Sequence, residues 1–441
     1  MRILITNSTL AARAGSELYV RDLALALLRR GHQPIAYSTA LGAVAEDLRR
    51  ATVPVIDDLR LLTDPPDIIH GQHHLDAMAA MLRFPGVPAV YMCHGWLPWE
   101  EEPPAFPSIS RYIAVDDLCR ERLVANGGIE PDRVDVVYNF VDLERFARRQ
   151  PLPDKPATAL IFSNHAAHPV HVDAIEAACA RLGVTRLDRV GIRFDNVVSK
   201  PEKMLGGYDV VFAKARAALE ALAVGCAVVV TDTSGFAGLV TSDNVAALRR
   251  YNFGVRTMQA SAISAAAVTE ALRHYDAGDA ARVTDWIRAE ADLGDAIDRL
   301  LGIYQRVLTS HREFAIQPPA RADFEARARD ASRYLGFLAP ALKSRRAAEQ
   351  RARQATADAE RERERREQAE RSRDALQAEL DAARLRVGRA ESRQSVLEQE
   401  LEAVRGNPAW RIYRCCCAAG SWLGRRLADA GTLARRLSAR R

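Results

Sequence analysis

The sequence predicts an α/β protein with two parallel-sheet domains facing a cleft, followed by a long α-helical coiled coil and an amphipathic basic tail. Three observations carry this. Short β-branched runs alternate with Ala/Leu/Arg-rich stretches through the first three hundred or so residues, which is the pattern of βα units. The alternation is broken at Pro151, Pro153 and Pro156 and restarts at Ala159, Leu160, Ile161 and Phe162, which places an interdomain linker there. Past residue 345 the composition turns to Ala, Arg, Glu and Gln with no proline until Pro408, the mark of one long helix. The expected divisions are 1–150, 151–310, a linker at 311–345, the coiled coil at 346–405 and the tail at 406–441.

Taken in order, Ile3 to Thr6 reads as the first strand and Ser16 to Arg30 as an amphipathic helix stopped by Gly31. Pro34 to Ser38, Asp67 to His70, Ala89 to Cys93, Tyr112 to Val115 and Val134 to Tyr138 continue the first set of strands. In the second set, strands Asp209 to Phe212 and Ala227 to Thr231 flank a helix over Arg216 to Val224, and helical sequence from Val283 to Leu308 closes the globular part. Pro318, Pro319 and Pro340 punctuate the linker. Within the long helix, Leu376, Leu380, Ala383, Val387, Ala390, Gln394, Leu397, Leu401 and Val404 alternate four and three residues apart. That spacing predicts a left-handed coiled coil and self-association, with Gln394 as a polar core position. Arg361 to Arg373, charged all round, reads as a solvated single helix.

Of 441 residues, 48% are apolar and 27% charged, enough to bury real cores and to exclude whole-chain disorder. The formal charge is +5, and residues 409 to 441 hold eight arginines against Asp429 alone, so the tail carries +7 and the remainder −2. A basic end on a near-neutral body points to an anionic partner. Trp410, Ile412, Tyr413, Trp422, Leu423, Leu427, Leu433 and Leu437 among those arginines suit an anionic membrane surface better than nucleic acid. The odd set of seven cysteines lacks metal-ligand spacing, so a reduced compartment is expected. With no signal-peptide pattern at Arg2 to Thr6 and no long apolar run, the expectation is a cytoplasmic protein, peripheral at the inner face of a membrane.

Two segments carry candidate chemistry. Gly15 and Ser16 sit where the first strand meets its helix, so backbone N–H groups there can approach an anion; a glycine at this junction also fits a simple turn. Lys214 and Arg216 open the helix that runs to Gly225, and Glu220 within it is an acceptor suited to ribose hydroxyls. Cations at a helix N-terminus oppose its dipole unless an anion sits between them. Arg193 and Lys200 are further phosphate candidates that also fit ordinary surface positions. His94 follows a strand, with His70, His73 and His74 as competitors. The loop from Trp96 to Pro104, with two Trp and three acids, fits either an acceptor contact or plain surface. His165, His168 and His171 lack companion ligands at metal spacing.

The second segment resembles the donor-binding helix of family 4 of the retaining GT-B glycosyltransferases: Glu220-Ala221 matches its second Glu-Ala and Gly225 its glycine. Gly15 and Glu17 are similar to the family's Gly-Gly-x-Glu loop, Leu23, Ala24, Leu27, Arg30, Gly31 and His32 to its helix end, and Asn139, Val141 and Asp142 to its NGVD element. His94-Gly95 resembles the family's cleft histidine. The resemblance covers about residues 1 to 310 in order, with two departures: Phe212 stands where the first Glu is expected, and Ala14 replaces a glycine.

This resemblance implies a GT-B fold of two Rossmann-like domains and transfer of a sugar from a nucleotide diphosphate sugar to a hydroxyl, with retention at the anomeric carbon. The donor would lie on the second domain and a glycan or lipid-linked acceptor on the first, in cell-envelope polysaccharide or glycolipid synthesis. His94 would border the reacting sugar. Lys214, Arg216 and donors near Gly15 would stabilise the leaving diphosphate with no metal or other cofactor. Two alternatives fit the same sequence: a sugar-nucleotide epimerase, and a catalytically degenerate scaffold, which Phe212 keeps open.

Overall fold

The computed structural model describes residues 1–438 except Leu97, 165–168, Ala260 and 315–320. It forms two compact units, Met1–Leu338 and Ala339–Arg441. The first holds strands β1 (Arg2–Thr6), β2 (Gln33–Tyr37), β3 (Val55–Ile56), β4 (Ile68–Gln72), β5 (Ala89–Cys93), β6 (Ile109–Ala114) and β7 (Val134–Val136). After the proline-rich linker come β8 (Thr158–Phe162), β9 (Arg186–Val190), β10 (Val210–Ala213), β11 (Ala227–Asp232) and β12 (Gly235–Leu239). Helices α1 (Gly15–Arg29), α2 (Ala43–Arg50), α3 (His74–Arg83) and α4 (Asp117–Glu121) serve the first sheet. The second has α5 (Pro169–Arg181), α6 (Ala215–Val224), α7 (Val245–Arg250), α8 (Val255–Met258), α9 (Ala265–Arg273) and α10 (Ala277–Glu290). Then follow α11 (Leu293–Phe314), α12 (Arg321–Gly406) and α13 (Pro408–Ser438).

The first sheet runs β3-β2-β1-β4-β5-β6-β7 and is parallel throughout. The second runs β12-β11-β10-β8-β9, parallel except for the antiparallel edge strand β12. Parallel strands covered on both faces need continuous apolar sequence, and β5 and β10 are accordingly buried along their whole length. The strand order reverses at β1/β4 in one sheet and at β8/β10 in the other. Loops leaving the carboxyl ends of strands at such switch points are where parallel sheets bind ligands.

The expected divisions need two corrections. Residues 293–308 were expected within the second domain, yet α11 packs on the first sheet, where Leu293, Ile297, Leu300, Tyr304 and Val307 join its core. Its apolar stripe, spaced three and four apart, finds the face that the first domain's own helices leave open. The 311–345 segment, expected as a mixed linker, is mostly helical: α12 starts at Arg321 and continues through Pro340. Proline removes a single helix hydrogen bond, and the Ala, Leu and Arg around it favour helix on both sides. Tyr334 and Leu338 of this helix are buried in the first core.

In the second unit, Gly406 ends α12, and the Asn407 side chain accepts from the Ala409 N–H at 2.8 Å at the start of α13. The expected break at Gly406-Asn407-Pro408 is therefore present. Trp410 stacks on Tyr413, and Arg426 lies over the Trp422 ring at 5.0 Å. The side chains of Leu427, Leu433 and Leu437 lie outside the described residues. No described helix is long and apolar enough to cross a membrane.

Candidate donor site

A cavity of about 620 Å³ opens between the two sheets of the first unit. Its walls come from four strand ends: Arg13–Gly15 after β1, Ser163 and Asn164 after β8, Gly191 after β9, and Lys214–Ala217 after β10. The N-termini of α1 and α6 both reach it, and neither has a side-chain cap; at α6 the Ala215 N–H is taken by the Phe253 carbonyl at 3.0 Å, so it is the N–H groups after it that an anion can approach.

Backbone shape matters at two points of the wall. Gly191 has φ +148°, and a β-carbon there would fall on the Ser163 carbonyl. Ala215 holds φ +49° at the first residue of α6, a left-handed conformation that costs a non-glycine residue of order 1 kcal/mol or more and collects at functional sites. At the far end of α6, Gly225 at φ +108° supplies the left-handed cap, and the N–H of Cys226 bonds back to Ala221 at 3.0 Å. The matched glycine thus turns the chain from helix into β11.

The lining holds Arg13, Arg21, Arg50, Arg145, Lys200, Lys214 and Arg216 against Asp47, Glu202 and Glu220, an excess of four positive charges. Two buried carboxylates behind the wall temper this. Asp22 of α1 accepts from Arg21 at 2.8 Å, from Arg145 at 3.0 Å and from Arg216, and Asp232 pairs with Lys214. Burial alone would raise the Asp22 carboxyl, but Arg216, Arg21 and Arg145 override it and hold it well below the usual carboxylate range. Arg216 also donates to Glu220 at 2.7 Å. Burial raises the Glu220 carboxyl against the pull of that arginine, so its ionised form is held less firmly than that of Asp22.

Lys214 and Arg216 therefore do face the cavity at a helix start, as the sequence suggested, but their charge is balanced by Asp232, Asp22 and Glu220 of the chain itself. Gly15, Lys200 and Glu220 also line the cavity. Ser16 does not; its hydroxyl donates to Glu17 at 3.0 Å. Arg193 is exposed in a short turn away from the lining. Phe212 is buried in β10, packed in the second sheet's core, so an apolar ring occupies the position where a carboxylate was expected.

His94 lies outside the cavity lining, at the carboxyl end of β5. Its Nε2 meets the Gln72 Oε1 at 2.6 Å, its backbone N–H donates to Glu101 at 2.8 Å, and its ring packs edge-on against Tyr19 at 4.5 Å. Burial pushes it down to about 4 despite Glu101, with Arg216 near enough to add to the fall. The competing histidines separate cleanly. His70 bonds the Tyr304 hydroxyl at 2.6 Å and His74 the Tyr334 hydroxyl at 3.0 Å, both within the core.

His73 instead faces Glu101 at 3.4 Å through Nε2, while its Nδ1 meets the Ser8 hydroxyl at 2.6 Å. Burial opposes the charged imidazolium, but Glu101 outweighs it and raises His73. Among the described residues, Asn7 Oδ1, Tyr19 Oη and Gln72 Nε2 are buried around this group without a hydrogen-bond partner. Glu101 itself is buried, so the Trp96–Pro104 loop is more than plain surface there. His165 and His168 lie outside the described residues, and His171 bonds Thr231 at 3.2 Å.

Sequence reasoning missed Asp22, Arg145, Asp232 and the His73–Glu101 pair. One signal was available: Asp22 falls between Tyr19 and Leu23 on the buried face of α1, and an acid on an apolar stripe asks for a partner.

Two parallel-sheet domains with a cationic cavity at their switch points have the GT-B architecture. Residues 13–145 match the model of Glycosyltransferase Family 4, so that stretch of the chain is similar to the family. A glycosyltransferase from Rickettsia africae ESF-5 shares the fold, with TM-score 0.52 and 15% identity over 69% of this chain and 98% of that one. Anabaena HepE, solved with UDP and glucose, gives TM-score 0.49 and 14% identity over 69% of this chain and 99% of that one. No curated protein matches the sequence.

Proposed function

We propose that the protein transfers a glycosyl group from a nucleoside diphosphate sugar to a hydroxyl acceptor, with the diphosphate in the cavity described above. The carrying observation is the excess of cations lining a cavity that two helix N-termini without side-chain caps reach, an arrangement suited to charge that develops on a departing diphosphate. Lys214, Arg216, Lys200 and the N–H groups at Gly15 would hold that charge without a metal. Glu220, behind Arg216, would accept ribose hydroxyls. The acceptor would enter on the first-domain side, where Tyr19, Gln72 and Asn7 present unpartnered polar atoms beside His94.

The family 4 match favours a retaining, hexosyltransferase-like enzyme. With Phe212 in the core, the anomeric outcome is read directly from the product by NMR. In the same reading, residues 376–404 self-associate as a coiled coil, and α13 lies on an anionic membrane surface at the cytoplasmic face, near a lipid-linked acceptor of the cell envelope. A thermal-shift screen of UDP, GDP and their sugars tests the core of the proposal. One nucleotide series should raise the unfolding temperature of the native chain and leave the Lys214→Ala, Arg216→Ala double variant unmoved. No shift from any nucleotide would favour a scaffold role, and nucleotide-sugar conversion without added acceptor would favour the epimerase reading.

A further inference from the structure

The heptad seam assigns not only self-association but its geometry: we infer that residues 376–404 pair with a second copy of this chain as a parallel, in-register two-stranded coiled coil. The inference rests on the self-association proposed above. Leu376, Leu380, Val387, Leu397, Leu401 and Val404 are 47 to 66% exposed along α12, a seam with no cover in the single chain. Leu380, Val387, Gln394 and Leu401 take the a positions, and Leu376, Ala383, Ala390, Leu397 and Val404 the d positions.

The flanking charges select the orientation. In a parallel pair each g residue meets the e residue five places later in the partner copy. Here those pairs are Glu379 with Arg384, Arg386 with Glu391, Arg393 with Glu398, and Glu400 with Arg405. All four join opposite charges. An antiparallel pair sets g beside g, and the central residues of that row, Arg386 and Arg393, then repel. Gln394 agrees: in the parallel register its amide faces the same amide of the second copy, whereas antiparallel packing would set it against an apolar d residue.

The helix treats its charges differently on either side of residue 376. Upstream, Arg345–Glu349, Arg361–Asp358, Arg363–Glu367 and Arg366–Glu362 pair within the helix. Along the seam, Arg384 reaches Asp381 at 3.4 Å, but Arg386, Glu391, Arg393 and Glu400 have no ion pair among the described residues. Their charge is free for a second chain. Parallel register also brings the exposed run Cys415, Cys416 and Cys417 of both copies to the same end of the coil.

Light scattering on the full-length chain at micromolar concentration should give twice the mass of one chain. Arg386→Glu with Arg393→Glu should shift it to monomer, as should Glu391→Arg with Glu398→Arg. Combining all four changes in one chain, or mixing the two double variants, should restore the dimer. Gln394→Cys, in a chain with Cys415, Cys416 and Cys417 replaced by Ser, should form an intermolecular disulfide under mild oxidation. A monomeric native chain would overturn self-association itself. A native dimer that is unmoved by charge reversal, or whose Gln394→Cys variant forms no intermolecular disulfide, would overturn the parallel register alone.

Discussion

Replacing Asp22 by Asn removes the carboxylate that three guanidiniums share while leaving their positive charge in place. Asp22 lies in α1 of the first domain, Arg216 in α6 of the second, and Arg145 in the segment joining them, so the change acts where the domains meet. Removing one partner of a buried ion pair costs ~3–5 kcal/mol, because the charge left behind stays desolvated. For a domain of 150–250 residues each kcal/mol moves the unfolding midpoint by ~2–4 °C. The compact unit here spans Met1–Leu338, so the lower slope applies and the midpoint should fall by ~6–10 °C.

The sign with pH follows from the depressed carboxyl. Asp22 contributes fully above its unfolded value of about 3.9, and the contribution is lost as pH falls through its lower folded value. The gap between native protein and variant should therefore be constant at neutral pH and close in strong acid. A diphosphate in the cavity would give Arg216 and Arg145 a new anion, so saturating nucleotide should raise the variant's midpoint more than that of the native chain. Differential scanning fluorimetry with and without the responding nucleotide measures both effects. A variant within 2 °C of native, a limit of about 1 kcal/mol, would refute the buried network. Equal nucleotide shifts would refute the claim that a phosphate can stand in for the carboxylate.

Other perturbations separate the remaining parts. Gly191→Ala forces a β-carbon onto the Ser163 carbonyl; the wall between β8 and β9 must shift, nucleotide affinity should drop at least tenfold by calorimetry, and unchanged affinity would remove that wall from the site. His94, held near 4 by burial, stays neutral in the fold while the unfolded imidazole protonates near 6.5, so stability should fall as pH drops across that window. The limit is ~3 kcal/mol; chemical denaturation from pH 7 to 4 should show the slope flattened in His94→Gln, and an identical slope would place the effect elsewhere. For the tail, Arg414→Ala, Arg425→Ala and Arg426→Ala should each weaken binding to anionic phosphatidylserine vesicles about fivefold, at roughly 1 kcal/mol per arginine. Tryptophan fluorescence reports that binding, and equal binding to neutral vesicles would contradict the electrostatic reading.

The cores were largely legible in the sequence, because parallel strands covered on both faces must be apolar end to end. The Ala89 to Cys93 strand coincides with β5, and the β10–α6–β11 unit falls within one residue of its expected ends. Strands without that signature escaped. The β9 sequence, RLDRV, alternates charge on an edge, and β12, GFAGL, carries two glycines and pairs antiparallel. The cations of the site were also legible, since Lys214 and Arg216 at a helix start are locally anomalous. Their partners were not: Asp22 is 194 residues from Arg216, and only the packing of two domains brings them together. His94 could be singled out by its place after a strand, yet Gln72 and Glu101, which fix its ring and backbone, come from other segments.

Isothermal titration of the nucleoside diphosphate selected by the thermal screen, into native protein and into Arg216→Ala, measures whether the interdomain cavity holds the donor. One site per chain is expected in the native protein and at least a tenfold weaker Kd in the variant, the loss expected when a charge-assisted hydrogen bond to the ligand worth ~1.5–3 kcal/mol is removed. Equal affinity in both would contradict the assignment of the interdomain cavity as the donor site.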